Sequence, residues 1–336
     1  MRTLQLALVG TVILALLGGL GGVVAAQQED EATESANVIT ATSVWTSRGA
    51  EDTPLTRLNS VNLAPDGNLW VLDGPKGRFQ ILSPDGAFIE AWGTPGTGEA
   101  EFDFVRSFDG LSYGDVAFAP DGSFYVVESG NQRVQRFGPD RDFVTMWGSQ
   151  GEADGQFLDP FGAALAPDGN VYVIDDRRNV IQVFDPDGAF LFAFGDEASG
   201  AGQLNDTGGI DIAPDGTVYV ADFGNHRVAK YGADGKFLAE WGSSGDGPYA
   251  FNNPHGIAIG ADGLVYLADF RNNKVKVFDS EGQHLATWPD PTDESRTLTI
   301  SSPVGIDVDY EGNVYISEYF AARVQKLAIE PTPVAE

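Results

Sequence analysis

The sequence predicts an all-β protein built from one unit of four short strands that is repeated around a ring. The unit is clearest from Gly208 to Gly242, where runs rich in β-branched and aromatic residues alternate with Pro, Gly, Asp and Asn clusters. This alternation is typical of antiparallel strands joined by tight turns, and Asp-Gly pairs favour such turns because glycine adopts positive φ. We expect strands a to d of this unit at Ile210–Ala213, Val218–Asp222, Arg227–Tyr231 and Phe237–Trp241.

The acid of the a–b turn recurs at intervals of 55, 47, 47, 47 and 49 residues. The six positions are Asp66, Asp121, Asp168, Asp215, Asp262 and Glu311. A period in the forties with four strands per unit predicts a six-bladed β-propeller of four-stranded antiparallel blades, in which strand a lines the axis. The sixth unit stops after strand c, near Ala328, and the run Ile39–Trp45 has the spacing of a strand d. We therefore expect this N-terminal strand to close the last blade and remove its open edge.

The repeated residues resemble the NHL repeat, most clearly in FGAALAPDGNVYVIDDRRNVIQVFDPDGAFLFAFG (161–195) and over residues 252–288. The resemblance covers nearly everything from Val38 to Ala328 and implies a six-bladed propeller of the NHL or TolB-like type. Propellers host many unrelated activities, so the resemblance is specific for the fold and weak for function.

The N-terminal residues 1–26 indicate a signal peptide, with Arg2, an apolar run and small residues before Gln27. The alternative is an uncleaved anchor, because the uncharged run is long enough to span a bilayer. In either case we expect the propeller outside the cytoplasm. Residues 27–37 predict an acidic disordered linker, residues 38–328 the propeller and residues 329–336 a short tail.

The chain has no cysteine, which excludes disulfides and any cysteine-based zinc module such as the RING domain of some NHL proteins. Its net charge of −29 would repel a phosphate backbone, so we expect no nucleic-acid partner. Such a charge favours a dispersed, monomeric protein. A membrane contact is expected only if the N-terminal segment stays uncleaved.

An acid ends strand b in every unit, and in five units a base follows five residues later. The five pairs are Asp73 with Arg78, Glu128 with Arg133, Asp222 with Arg227, Asp269 with Lys274, and Glu318 with Arg323. An acid and a base at the two ends of a tight b–c hairpin should pair with each other. We expect structural ion pairs here and no ring of metal ligands.

Some propellers with NHL-like blades are zinc-dependent amidating lyases, and the gluconolactonase-like propellers hold calcium in the channel. The resemblance therefore makes zinc or calcium possible as a cofactor. His226, His255 and His284 fall at three different places in the repeat, so they cannot form one zinc site. In the channel, Asn59, Asp115 and His255 are weak candidate ligands, too few for calcium. We expect no catalytic residue and no resident metal.

One face of the propeller collects aromatic residues. The residue after the strand-b acid is Gly74, Ser129 or Asp176 in the first three blades, but Phe223, Phe270 or Tyr319 in the last three. The other candidate binding residues are Tyr249, His255, Phe320 and Phe161, with Phe102 and Arg106 in a d–a loop eight residues longer than its counterparts. Aromatic residues at a pocket mouth bind sugars and peptide side chains well.

These observations predict an exported module that binds a protein, peptide or carbohydrate ligand through its b–c and d–a loops. The alternative is a metal-dependent enzyme, lyase-like or lactonase-like, that uses the central channel. A purely structural part of the cell envelope is the third reading.

Overall fold

The structure is a computed structural model that describes residues 39–106, 109–195, 201–292 and 297–331. The predicted signal peptide and acidic linker lie outside the described residues. Within these ranges the chain forms six four-stranded antiparallel sheets and two pairs of two-residue strands. This is the predicted all-β six-bladed propeller.

The first strand of the described residues is β1 (Ile39–Ser47), which belongs to the last blade. The first blade contains β2 (Val61–Leu63), β3 (Leu69–Asp73), β4 (Arg78–Leu82) and β5 (Phe88–Trp92). The short strands β6 (Thr94–Pro95) and β7 (Glu101–Phe102) pair in the loop that follows. The second blade contains β8 (Gly114–Phe118), β9 (Phe124–Glu128), β10 (Arg133–Phe137) and β11 (Phe143–Trp147). The third contains β12 (Pro160–Leu165), β13 (Val171–Asp175), β14 (Val180–Phe184) and β15 (Phe190–Phe194).

The second half of the ring repeats this arrangement. The fourth blade contains β16 (Thr207–Ile212), β17 (Val218–Asp222), β18 (Arg227–Tyr231) and β19 (Phe237–Trp241). The short strands β20 (Ser243–Ser244) and β21 (Ala250–Phe251) pair next. The fifth blade contains β22 (Pro254–Ile259), β23 (Val265–Asp269), β24 (Lys274–Phe278) and β25 (His284–Trp288). The sixth contains β26 (Pro303–Val308), β27 (Val314–Glu318) and β28 (Arg323–Pro331), with β1 as its outer strand.

The N-terminal strand closes the ring as predicted. β1 runs antiparallel to β28, with Ile39 opposite Pro331 and Ser47 opposite Val324. β28 extends to Pro331, so it continues three residues beyond the end expected near Ala328. The Trp45 indole nitrogen donates a hydrogen bond to the carbonyl of Pro84, 3.1 Å away in the first blade. The last blade is thus tied to its neighbour at the outer edge as well.

The hydrophobic core is divided among the junctions between blades. Each of six clusters of buried residues in the described ranges joins two adjacent blades. The third and fourth blades, for example, meet through Tyr172, Ile174, Val220 and Tyr231. Because the apolar surface is buried between blades, the inner edges of the six strands a remain open to the channel.

The helices of the described ranges are single 3₁₀ turns at Gly74–Lys76, Asp176–Arg178 and Phe270–Asn272, in the b–c connections of alternate blades. Among the described residues, no helix has the length and apolar character required to cross a membrane.

Candidate ligand site at the channel mouth

Strand a of every blade contributes to a central cavity of about 230 Å³. Six equivalent positions surround its mouth: Asn59, Gly114, Phe161, Gly208, His255 and Val304. Position 208 requires glycine for a steric reason, because a Cβ atom there would lie 2.6 Å from the carbonyl oxygen of His255. The strands approach so closely at this level that larger side chains cannot occupy every position.

A second cavity, of about 310 Å³, opens above this mouth and has a wall of aromatic rings. The rings are Tyr113, Phe161, Phe223, His255, Phe270 and Tyr319. They form a network of edge-to-face and tilted ring contacts around the imidazole of His255. Its centroid lies 5.4 Å from that of Phe161, 5.9 Å from that of Phe223 and 6.4 Å from that of Phe270. We call this space the mouth cavity.

The imidazole of His255 is neutral at pH 7. Burial disfavours the charged form and lowers the pKa of His255 to about 4. Within the described residues, no group forms a hydrogen bond with its ring nitrogens, and the residue lines both cavities. A neutral imidazole offers one donor and one acceptor, so His255 can bind a polar group of a ligand in the mouth cavity.

The long d–a loop places Arg106 at the mouth cavity. Val105 and Ser112 form an isolated antiparallel bridge, and the nitrogen of Arg106 donates to the carbonyl of Leu111 at 2.8 Å, so the described ends of the loop run antiparallel to each other. The guanidinium lies 3.8 Å from the ring centroid of Tyr113. It forms ion pairs with Asp109 and, at 2.7 Å, with Asp159.

Asp176, Asp206 and Thr207 join Asn59 and Arg106 in the polar part of the wall. The backbone nitrogen of Thr207 donates to Oδ1 of Asp176 at 2.8 Å. Burial, together with the nearby carboxylate of Asp206, raises the pKa of Asp176 to about 7. Burial also raises the pKa of Asp206, and Arg106 acts in the opposite direction. The ionised forms of both acids are therefore destabilised by their surroundings.

The structure brings together six of the predicted binding residues at the mouth cavity: Phe161, Phe223, His255, Phe270, Tyr319 and Arg106. Phe320 stands beside them, 75% exposed, with its ring centroid 5.1 Å from that of Tyr319. Sequence reasoning did not single out Tyr113, Asp206 or Thr207, and it counted Asp176 only as a polar position.

Two of the predicted binding residues are elsewhere. Phe102 is 0% exposed and packs between the first two blades, with its ring centroid 5.1 Å from that of Trp92. It fills the junction as Phe157 does in the next blade, so a ligand cannot reach it. Tyr249 contacts the outer strand of the fifth blade, where its hydroxyl accepts a hydrogen bond from the nitrogen of His284 at 3.2 Å. It does not line the mouth cavity.

The acids that end strand b are buried beneath the b–c turns. Arg78 Nε lies 3.1 Å from Asp73, and 2.7 Å separates both Arg133 from Glu128 and Arg227 from Asp222. Arg323 pairs with Glu318 in the same way. Glu128, Asp222 and Glu318 also accept a backbone N–H group of the preceding d–a loop, as Glu128 does from Asp103 at 3.0 Å, whereas Asp73 bonds side chains only in the described part of the chain. The contacts fasten each b–c hairpin to the loop beside it.

The fifth blade departs from the predicted pairing. Lys274 forms its ion pair with Asp246, and the partner of Asp269 is Lys276, at 3.0 Å. Lys276 is 0% exposed and also donates to the carbonyls of Gly247 and Ala250. The buried lysine occupies the space beside Asp269, so the flexible side chain of Lys274 extends to the exposed Asp246.

Three carboxyl groups face the central channel in alternate blades. Asp115 accepts a hydrogen bond from the nitrogen of Ala163 at 3.2 Å, and Asp211 accepts one from Ile259 at 2.7 Å. Asp307 does the same for Leu63 at 2.6 Å. Burial raises the pKa of Asp115 and Asp211 to about 7 and that of Asp307 to about 6.

The three candidate metal ligands do not form a site. The amide of Asn59 donates to the carbonyl of Ser112, Asp115 bonds to the next blade, and His255 stands among aromatic rings. Within the described ranges, no group of three or more His, Asp or Glu side chains is arranged to hold a metal ion. Because calcium requires six or more oxygen ligands, these residues do not fit the calcium site of a gluconolactonase-like channel.

Comparison with known proteins supports the fold. The NHL repeat family model matches residues 204–231 and 251–278, which lie in the fourth and fifth blades and the loops before them. No curated protein matches the chain.

Several solved structures share the architecture at low identity. A Bacteroides thetaiotaomicron protein of unknown function is 16% identical, with a TM-score of 0.65 over 88% of this chain and 76% of that one. An auxiliary nutrient binding protein from Bacteroides ovatus is 16% identical, with a TM-score of 0.59 over 88% and 77%. A streptogramin B lyase is 14% identical, with a TM-score of 0.58 over 87% and 98%. The chain is therefore a six-bladed β-propeller closed by its N-terminal strand, and two of its segments match the NHL repeat.

Proposed function

We propose that this protein is an exported module that binds a small ligand in the mouth cavity. The main support for this proposal is the cavity itself, which has a volume of about 310 Å³ and is lined by aromatic rings together with Arg106, Asp176 and Asp206. A concave, mostly apolar space with a few convergent polar groups is the usual form of a small-molecule site. A peptide or sugar ligand would bind with one side chain or one ring inside it.

Export rests on residues 1–26, whose composition predicts a signal peptide. The similarity to an auxiliary nutrient binding protein is consistent with a binding role. At 16% identity it indicates a shared fold, so the choice of ligand depends on the residues of this cavity.

A lyase-type enzyme is the second candidate, and the imidazole of His255 favours it. A neutral histidine with free ring nitrogens in a cavity is a possible general base. A streptogramin B lyase is among the similar structures. A base whose pKa is lowered to about 4 accepts a proton poorly at neutral pH, however, so binding without bond chemistry is the better supported role.

The test is a ligand screen on the full chain. Glycans, peptides and small metabolites are tested by thermal shift and isothermal titration calorimetry. A variant with Phe223, Phe270 and Tyr319 changed to Ala is compared with Tyr310→Ala, which alters a 91% exposed ring in an a–b turn. We expect ligands that bind the wild type and Tyr310→Ala but not the triple variant. Equal binding by the triple variant would refute the proposed site. Chemical turnover of one of these ligands by the wild type, abolished in His255→Ala, would instead establish the lyase-type enzyme.

A further inference from the structure

The mouth cavity contains a buried hydroxyl group without a partner. Thr207 is 3% exposed, lines the cavity, and its Oγ1 forms no hydrogen bond within the described part of the chain. A buried polar atom without a partner is unfavourable unless a ligand or water completes it. The adjacent backbone nitrogen of the same residue bonds Oδ1 of Asp176, so the hydroxyl and the carboxyl stand together.

The charged groups of the wall favour a cation. Arg106 is already engaged by Asp109 and Asp159. Within the described ranges, Asp176 and Asp206 have no ion-pair partner within 4.0 Å, and both have a raised pKa. His255 has a lowered pKa and supplies no positive charge at pH 7. An anionic ligand would therefore meet two carboxyl groups that form no ion pair among the described residues, whereas a cation would pair with them.

The aromatic wall favours an organic cation over a metal ion. A metal such as calcium needs many oxygen ligands, whereas six of the thirteen residues that line this cavity are aromatic. Aromatic rings attract ammonium and guanidinium groups and also bury their apolar substituents. The guanidinium of Arg106, 3.8 Å from the centroid of Tyr113, shows that one ring of this wall already binds a cation.

We propose that the mouth cavity recognises a small organic cation, a quaternary ammonium or alkylated amine, through its aromatic rings, Thr207 and the carboxyl groups of Asp176 and Asp206. This inference rests on the proposed function, because it names the ligand class of the same cavity. The cavity of about 310 Å³ accommodates a group of the size of choline.

The test compares choline with 3,3-dimethylbutan-1-ol, a neutral molecule of the same shape. Binding to the full chain is measured at pH 8 by calorimetry and by ligand-observed NMR. We expect the neutral molecule to bind at least ~10-fold more weakly than choline, since it lacks the charge that rings and carboxylates attract.

Two isosteric variants test whether the charge of Asp176 contributes to choline binding. Asp176→Asn keeps an oxygen for the nitrogen of Thr207 but removes the charge, and we expect it to weaken choline binding by at least ~10-fold. Asp187→Asn is the control, because this acid is 86% exposed and lies in a c–d turn at the other end of its blade. It should bind choline as the wild type does.

The outcomes separate the inference from the proposed function. Equal affinity for choline and its neutral analogue, or an Asp176→Asn variant with unchanged choline affinity, would refute the recognition of a cation. The proposal that the mouth cavity binds a ligand would still stand. The same conclusion would follow if choline did not bind, while other ligands bound the wild type and failed to bind the triple aromatic variant. If no ligand of any class binds, both proposals fail.

Discussion

The carboxylate of Asp307 in the sixth blade accepts a hydrogen bond from the backbone nitrogen of Leu63 in the first blade, across 2.6 Å. Equivalent contacts join Asp211 to Ile259 and Asp115 to Ala163, so every second junction is bridged on the channel side. The inner edge of strand a has no further strand to pair with. A carboxyl group from the preceding blade supplies the missing acceptor.

Replacement of Asp307 by Ala should destabilise the ring. It leaves the N–H of Leu63 without an acceptor, and an unpaired buried donor costs about 1–3 kcal/mol. The free energy of unfolding is measured by urea titration at pH 5, where Asp307, with its pKa raised to about 6, is mostly protonated and ionic repulsion is small. Glu311→Ala, at an exposed turn of the same blade, is the control. Equal stability of Asp307→Ala and wild type would show that the bridge contributes nothing.

The channel carboxyls should also make stability fall as the pH rises. Asp211 has a folded pKa of about 7 against a usual value of 3.8, so between these pH values the folded protein holds a proton that the unfolded chain has released. The contribution of this protonated carboxyl group to the free energy of unfolding is present at low pH and is lost as the pH approaches 7. His255 acts in the opposite direction, because its lowered pKa makes the unfolded chain bind the extra proton below about pH 6.5.

The variant Asp211→Asn isolates this effect. Urea titrations from pH 5 to 8 at constant high salt should show a decline of stability with pH that is shallower in Asp211→Asn by up to about 1.4 kcal/mol per pH unit. The charged groups acting on Asp211 are Asp307 and Asp115, which remain in the variant. Parallel profiles for the two proteins would refute the assigned role of Asp211.

The buried lysine of the fifth blade gives a third prediction. Lys276→Met leaves Asp269 without its cation, and breaking such a pair costs about 3–5 kcal/mol. Lys276→Gln should cost much less, because the equivalent Gln80 and Gln135 bond the corresponding acids at 3.1 and 2.8 Å. Thermal and urea denaturation compare the two variants. Equal losses would mean that charge, not hydrogen bonding, is required at this position.

Choline affinity should rise with pH. Asp176 has a pKa raised to about 7 by burial and by Asp206 and Asp159, with Arg106 opposing them, so its ionised fraction increases from pH 6 to 8. The affinity should increase by up to ~10-fold over this range, in proportion to that fraction. Calorimetry at pH 6, 7 and 8 measures it. The Asp176→Asn variant should lose the dependence, and a wild-type profile that is flat would contradict the role of this acid.

The regular parts of the molecule could be predicted because the repeat has a period. The runs Val218–Asp222, Arg227–Tyr231 and Phe237–Trp241 have the bounds of β17, β18 and β19. Phe102 was assigned to the binding face because it lies in the irregular loop. Its alignment with Phe157 and Phe251, which also fill junctions between blades, would have placed it in the core.

Fewer residues of the candidate site could be predicted from the sequence, because their positions depend on irregular loops and flexible side chains. The antiparallel contacts of Phe104–Arg106 with Leu111–Tyr113 have no counterpart in the described parts of the other d–a loops, so no repeat position indicates that Tyr113 reaches the aromatic wall. Lysine side chains are long and flexible, and the sequence spacing alone favoured Lys274 over Lys276. Thr207 and Asp206 acquire their importance only from the loops packed around them.

Because β1 and β28 are antiparallel, the first and last described residues of the ring, Ile39 and Pro331, are neighbours across one pair of strands. A force that pulls these two residues apart would separate the strands one pair at a time, instead of shearing all of them together. A molecule held at both ends would therefore open at this seam under little tension. A molecule held at one end would carry no tension there.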